Sequence, residues 1–223
     1  MAITLVQGNA KGTSATSTIT VTLVSTPISG NVLIAVIGTR LAATEVTVSS
    51  ITQTGVTWTE QISKYSGNIN VELWLGVVGS GASTTITITL SATPSGSVAD
   101  VCEWSGIATS GFLDKTATNA GAGYTADTGT TDTTTKANEL WVGGINDQSG
   151  DLTTPTNGFT LLDGLTQTWL VIAYLYKIVS ATGTANSGAS TVASNSWVGC
   201  IATFKALSPK GTIAIHAKLL GII

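Results

Sequence analysis

The sequence predicts an all-β protein, a single large antiparallel β-sandwich, and three observations carry that prediction. No window shows an apolar stripe at a 3.6-residue period, while Thr, Val, Ile and Trp dominate the ordered-looking stretches. Several stretches alternate strictly between apolar and hydroxyl side chains, as a strand with one covered face must. Turn residues recur about every 8–12 residues, as in a sandwich, at Pro27-Ile28-Ser29-Gly30, Ser66-Gly67-Asn68, Gly79-Ser80-Gly81, Pro94-Ser95-Gly96, Asn157-Gly158 and Asp163-Gly164.

Thr18 to Leu23 and Thr85 to Leu90 are the alternating segments, each with an apolar face and a hydroxyl face. They predict half-buried strands beside solvent. Asn31 to Ile37, Val71 to Val78, Leu140 to Ile145 and Leu170 to Val179 are apolar on both faces, so both faces should be covered.

The chain also matches itself. Asn31 to Gly38 resembles Asn138 to Ile145, Gly55-Val56-Thr57-Trp58 resembles Gly158-Phe159-Thr160-Leu161, and Leu73-Trp74-Leu75 resembles Ala173-Tyr174-Leu175. Val101-Cys102 ends the first set much as Gly199-Cys200 ends the second, and the spacing between matched segments shrinks steadily along the chain. Two pseudo-repeated halves, about 16–107 and 127–206, therefore make up a sandwich domain of residues 1–207. A jelly-roll-like sandwich in which the halves interleave would hold such a repeat, because a jelly roll is itself two Greek keys. Thr116 to Thr135 has no Pro and little charge, so it reads as a long crossing or surface strand rather than a linker.

Residues 208–223 stand apart as a strand-like arm beyond Pro209 and Gly211. Ile213, Ile215, Ala217 and Leu219 share one face of it. Ile213, Ile215, Leu219 and Ile222 are the candidate subunit-interface residues, since an apolar strand beyond the domain needs a groove to cover it. The arm is expected to cross to a neighbouring copy and add a strand to its sheet.

Only 9% of the 223 residues are charged, the net charge is -3 and the mean hydropathy is +0.37. That balance predicts a folded chain with a hydroxyl-rich surface. It offers no basic stripe for phosphate, so nucleic acid is not an expected partner. A surface poor in charge lacks the repulsion that keeps copies apart, which makes the chain itself the expected partner. The first residues show neither a basic n-region nor an apolar h-region, and no apolar run approaches the length of a membrane helix. Neither a signal peptide nor membrane insertion is expected.

No residue set points to catalysis, to a cofactor or to a metal. The one histidine, His216, lies in the arm, away from any triad. Carboxylate pairs for glycoside chemistry would have to be Asp100 with Glu103 or Glu60 with Glu72, and the first two point to opposite faces of one strand. Asn146 to Asp151 has the oxygen density of a calcium loop without its closing Glu, which leaves calcium near Asp147 and Asp151 open. Cys102 and Cys200 are read as buried free thiols. The six tryptophans are read as packing residues, Trp58 because Val56 and Ile62 share its face, and carbohydrate stays open as a less favoured partner.

Four stretches carry a resemblance: Asn31 to Gly38, Gly55 to Trp58, Ser110-Gly111-Phe112-Leu113-Asp114-Lys115-Thr116, and Trp197 to Lys205. Through them the chain resembles β-rich structural proteins of phage and prophage over about residues 2 to 206. The resemblance implies a jelly-roll-like virion component, a capsid, decoration or tail protein that assembles with itself and with other virion proteins, and it assigns no functional residue. Thr-rich filament subunits joined by strand exchange are similar too, which makes an extracellular assembly the second reading and a carbohydrate-binding module the third.

Overall fold

The computed structural model describes residues 2–41, 45–148, 151–167 and 170–208, and none of these is helical. Fourteen strands follow one another among them: β1 Thr4–Thr13, β2 Thr18–Thr22, β3 Val32–Arg40, β4 Val48–Thr52, β5 Val56–Ser66, β6 Ile69–Val78, β7 Thr85–Leu90, β8 Gly96–Ser105, β9 Leu113–Asp127, β10 Asn138–Asp147, β11 Leu152–Pro155, β12 Thr160–Gln167, β13 Leu170–Ser180 and β14 Gly188–Lys205. The protein is thus all-β, with every ladder antiparallel. The arm, with Ile213, Ile215, His216, Leu219 and Ile222, lies outside the described residues, as does Trp169.

Three sheets form. The first large sheet has the order β1-β8-β3-β6-β5, the second β9-β14-β10-β13-β12 with β11 beside the start of β14, and a small third sheet is β2-β7-β4. Strand patterning explains the stacking. In β3, Val32, Ile34 and Val36 enter a central core while Leu33, Ala35 and Ile37 enter an outer one, so both faces are covered. In β2 and β7, Ile19, Val21, Ile86 and Ile88 point to that outer core and their threonines do not, so these strands form the outermost layer. The central core lies between the two large sheets and draws on β3, β6 and β8 from one side and β10, β13 and β14 from the other. A third core, with Trp141, Phe159 and Trp197, lies on the far side of the second sheet.

Strand order in the two large sheets is the same, with β1, β8, β3, β6 and β5 in the places of β9, β14, β10, β13 and β12. Ladder positions correspond as well: Val32 pairs with Val77 and Trp104, and Leu140 pairs with Ile178 and Phe204. The sheets stack with their orders opposed, so that β1 lies against β12 and β5 against β9. Side-chain face corrects the matching of segments by sequence. Leu73 faces the central core and Ala173 the outer one; Tyr174 holds the place of Leu73, and Leu140, not Glu139, that of Val32. Among the described residues no strand ladder joins the halves, which stack face to face instead of interleaving. The isolated bridge Ile107–Ala206 is the backbone link between them, with a bond from the Leu207 N–H to the Gly106 carbonyl. A ladder across halves would need strands of unlike register to share edges, whereas two apolar faces stack without that demand.

Close approach at this interface depends on glycine. A Cβ at Gly144 would stand 2.7 Å from Val36 Cγ1, so only a bare backbone lets the sheets meet there. One end of the interface is polar: Asn146 Nδ2 donates to the carbonyls of Thr39 (3.1 Å) and Asn70 (2.7 Å), and Gln148 accepts from Arg40 and donates to Asn68.

The Thr-rich stretch after the first half is neither linker nor plain strand. Through Asp127 it is β9, paired along β14. Beyond it, three buried threonines repeat one clip. Each of Thr128, Thr131 and Thr134 donates its N–H to a carbonyl and accepts on Oγ1 the N–H of that same residue, respectively Ser187, Ala185 and Gly183. A step of three on one chain meets a step of two on the other, which a β-ladder cannot do, so the side-chain hydroxyls supply the missing acceptors. Gly129 permits the entry to this segment: its φ is +75°, and a Cβ there would meet the Thr118 carbonyl.

Candidate functional site

Charge is scarce in this chain, yet Glu72, Asp100, Glu103, Glu139 and Asp147 are all buried, and these carboxyls are the natural place to look for chemistry. Their surroundings follow from strand parity. Glu72 shares with Trp74 the outer face of β6, where Trp74 Nε1 donates to Oε2 at 2.8 Å while Val48 N and Asn70 Nδ2 both donate to Oε1. Burial raises its pKa against the opposing pull of these donors. Glu60 approaches it, so the second of the two carboxylate pairs considered is brought together. Glu60 is exposed, however, and both oxygens of Glu72 accept from protein donors, one of them the Val48 N–H at the start of β4. That geometry anchors a strand start.

Asp100 and Glu103 do point to opposite faces of β8. Glu103 accepts from Asn31 Nδ2 (2.6 Å), Ile28 N (2.8 Å) and Gln7 Nε2 (2.6 Å), which pins the loop before β3 and the edge strand β1. Asp100 lies on the central face, where Cys102 Sγ is 3.6 Å from Oδ1. Nearby, Trp104 Nε1 donates to the Tyr174 hydroxyl at 3.0 Å across the interface, and burial, then the neighbouring thiol, pushes the tyrosine well up.

The least ordinary group is Glu139. Fully buried, it takes a bond from Trp141 Nε1 at 3.0 Å on Oε2, while Oε1 has no donor among the described residues and the carboxyl of Asp114 faces it. Burial first, and then that second carboxyl, raise Glu139 to about 7. Asp114 goes the other way: burial would raise it, but the hydroxyl and N–H of Thr135 outweigh that and hold it low, with Lys205 Nζ at 3.8 Å. A proton on Glu139 donated to Asp114 satisfies both. The pair closes the junction of β9, β10 and β14.

Both cysteines are buried and unbridged, and both face the central core from strands in equivalent places, β8 and β14. Burial pushes the Cys200 thiol far up, which makes it a poor nucleophile. In the Asn146 to Asp151 loop, Asn146 is committed to the interface, and Asn195 Nδ2 donates to Asp147 Oδ1 at 3.2 Å. Residues 149 and 150 lie outside the described residues, and among those described no three His, Cys, Asp or Glu side chains are placed to hold a metal. The five described tryptophans pack. Trp104 is in the central core, Trp141 and Trp197 are in the third, and Trp58 and Trp74 lean on the outer core of the first half. A β-bulge at Gln61 turns Ile62 to the central face, so Trp58 and Ile62 do not share a core despite their even spacing. One open pocket of about 350 Å³ touches aromatic rings, where Lys177 covers the stacked Trp141 and Phe159 at 5.9 and 5.8 Å.

The sequence singles out neither Glu139 nor Asp114: the one signal is the Glu139 carboxyl at the start of a mostly apolar strand, and Asp114 stands near the start of a polar one. Compared with known proteins, the chain matches no family model, no curated protein and no solved structure.

Proposed function

We propose that the chain is a non-enzymatic structural protein that assembles with itself, a virion component of the capsid, decoration or tail kind. The observation that supports this most is the recurring strand order. β1-β8-β3-β6 facing β2-β7-β4 resembles the strand order of a jelly roll, with the difference that β5 lies beside β6 in the first sheet, and β9-β14-β10-β13-β12 repeats the order of that first sheet. On this reading the two halves are diverged copies of one jelly-roll-like unit. Two such units joined through their large sheets make a rigid block suited to tiling. The buried carboxyls favour the same reading, because they hold loops and strand starts and do not converge on a cleft. A surface of hydroxyls and small residues lets copies pack without desolvating many ions.

A filament subunit joined by strand exchange is the second reading, favoured by the free outer edge of β1 and by the arm. Negative-stain electron microscopy of the purified full chain separates the two. Closed shells, rings or sheets support the virion reading, long fibres support the filament, and dispersed single particles at all concentrations overturn both.

A further inference from the structure

The stacked sheets have two unlike ends. At one end β1, β3 and β10 begin and β8, β13 and β14 finish, as the ladders Leu5–Trp104, Val32–Trp104, Leu140–Ile178 and Leu140–Phe204 require. Among the described residues, six of the nine exposed large apolar side chains lie there: Leu5, Val6, Val24, Ile28, Ile178 and Leu207. Val24 and Ile28 belong because Gln7 bonds Ser25 and Glu103 bonds the Ile28 N–H. The other three, Tyr65, Tyr124 and Val192, are elsewhere. Scattered apolar residues on a surface are ordinary, but a cluster at one end of a block marks a contact.

A groove of about 320 Å³ opens in this end between Ala2–Ile3 and Ile178–Ser180, and Leu207 lines it. The chain enters its arm one residue later. We propose that this end is where a second copy of the chain docks, each copy laying the strand Thr212–Ile222 of its arm into the other's groove.

The proposal rests on the self-assembly reading and adds the surface and the occupant. The arm's own pattern fits the groove, since Ile213, Ile215, Ala217 and Leu219 form one apolar face. Length allows the exchange: residues 209–223 extended span roughly 45–50 Å at about 3.3 Å per residue. An arm folded back on its own groove would cover Ile178 and Leu207 but leave Leu5, Val6, Val24 and Ile28 wet on the other sheet. A second copy approaching end-on covers both sheets at once. Two-fold symmetry makes the exchange reciprocal, so that no arm and no groove is left open.

The test is light scattering on the purified full chain over a wide concentration range, beside Ile178→Lys, Leu207→Lys and the control Val192→Lys. All three residues are exposed in the single chain, so circular dichroism should report the same fold in each. The expected result is association of the full chain and of Val192→Lys, weakened roughly 10- to 100-fold by either groove substitution, as the loss of one buried aliphatic side chain predicts. A second variant carries Ile178→Cys with Ile215→Cys, and on oxidation it should run at twice the chain mass. A product of single-chain mass overturns the exchange in favour of a self-folded arm. Association that survives both groove substitutions overturns the proposal and leaves self-assembly to another surface, whereas a full chain that is monomeric throughout overturns the assembly reading with it.

Discussion

The two halves of the chain cover the outer faces of their large sheets by different means. Over the first half lies an aliphatic layer, in which Ile19, Val21, Ile86 and Ile88 from β2 and β7 meet Leu33, Ala35 and Ile37. Over the second half the corresponding chain is the threonine-clipped segment 128–134 against 183–187, which lies close over Gly143, Gly199 and Trp141. Strict alternation yields a regular ladder with one dry face. Threonines at every third position yield a closed layer only because each hydroxyl replaces a backbone acceptor. The lesson is that one strand order tolerates two chemistries in its cover, as long as every buried N–H finds a partner.

The sharpest break of this comparison is Ile88→Ala, which should destabilise the aliphatic layer by about 2–5 kcal/mol in urea unfolding, since a fully buried side chain leaves a cavity. A loss well below that range would mean that the first cover is loosely packed and not the dry layer described.

The next largest effect is a pH dependence, and it sharpens the contrast at one pair of positions. Asn31 and Glu103 in the first half stand where Glu139 and Thr203 stand in the second, so a carboxyl takes the place of the amide and a hydroxyl that of the carboxyl. Because Glu139 is raised to about 7 from an ordinary 4.5, its neutral form is favoured by folding. Its contribution is therefore complete below about pH 4.5 and is lost as pH rises to about 7, amounting to at most about 3 kcal/mol. Glu139→Gln should flatten the stability profile between pH 5 and 8 in thermal or chemical unfolding. An unchanged slope would place the titrating group elsewhere.

Thr131→Val comes third, at about 1–3 kcal/mol. The substitution keeps the shape but leaves the Ala185 N–H buried without its acceptor, so hydrogen exchange at Ala185 should quicken. If stability and exchange are both unchanged, the hydroxyls only fill space. The smallest effect is expected at Trp197, whose buried indole N–H has no partner among the described residues. Trp197→Phe removes that cost together with some packing, and the net change should stay within about 1 kcal/mol.

Much of this architecture is legible in the sequence. The alternation in Thr18 to Leu23 and Thr85 to Leu90 marks the half-buried outer strands, and continuous apolar runs mark β3, β6, β10 and the Leu170 to Leu175 part of β13 as covered on both sides, whereas the end of β13 leaves Ile178 exposed, because the strand runs out to the end of the sheet. Parity placed Asp100 and Glu103 on opposite faces. It failed for Trp58 and Ile62, because a bulge adds a residue that no spacing rule anticipates. It also misaligned Leu73 with Ala173, since a match by residue type is blind to which face a side chain takes. Glu139 was out of reach, because a carboxyl is raised by what folds over it and by a partner from β9, far off in sequence.

What the sequence determined by itself is the local rule, strand against turn and covered face against wet face, because side-chain periodicity acts over a few residues at a time. Only the tertiary structure decided that the halves stack instead of interleaving and that their sheets meet with opposed order. It also decided that the threonine stretch closes a layer through its hydroxyls. Those outcomes depend on register, on where glycine lets two backbones approach, and on which buried N–H groups are left in need of an acceptor. None of them is a property of a short segment.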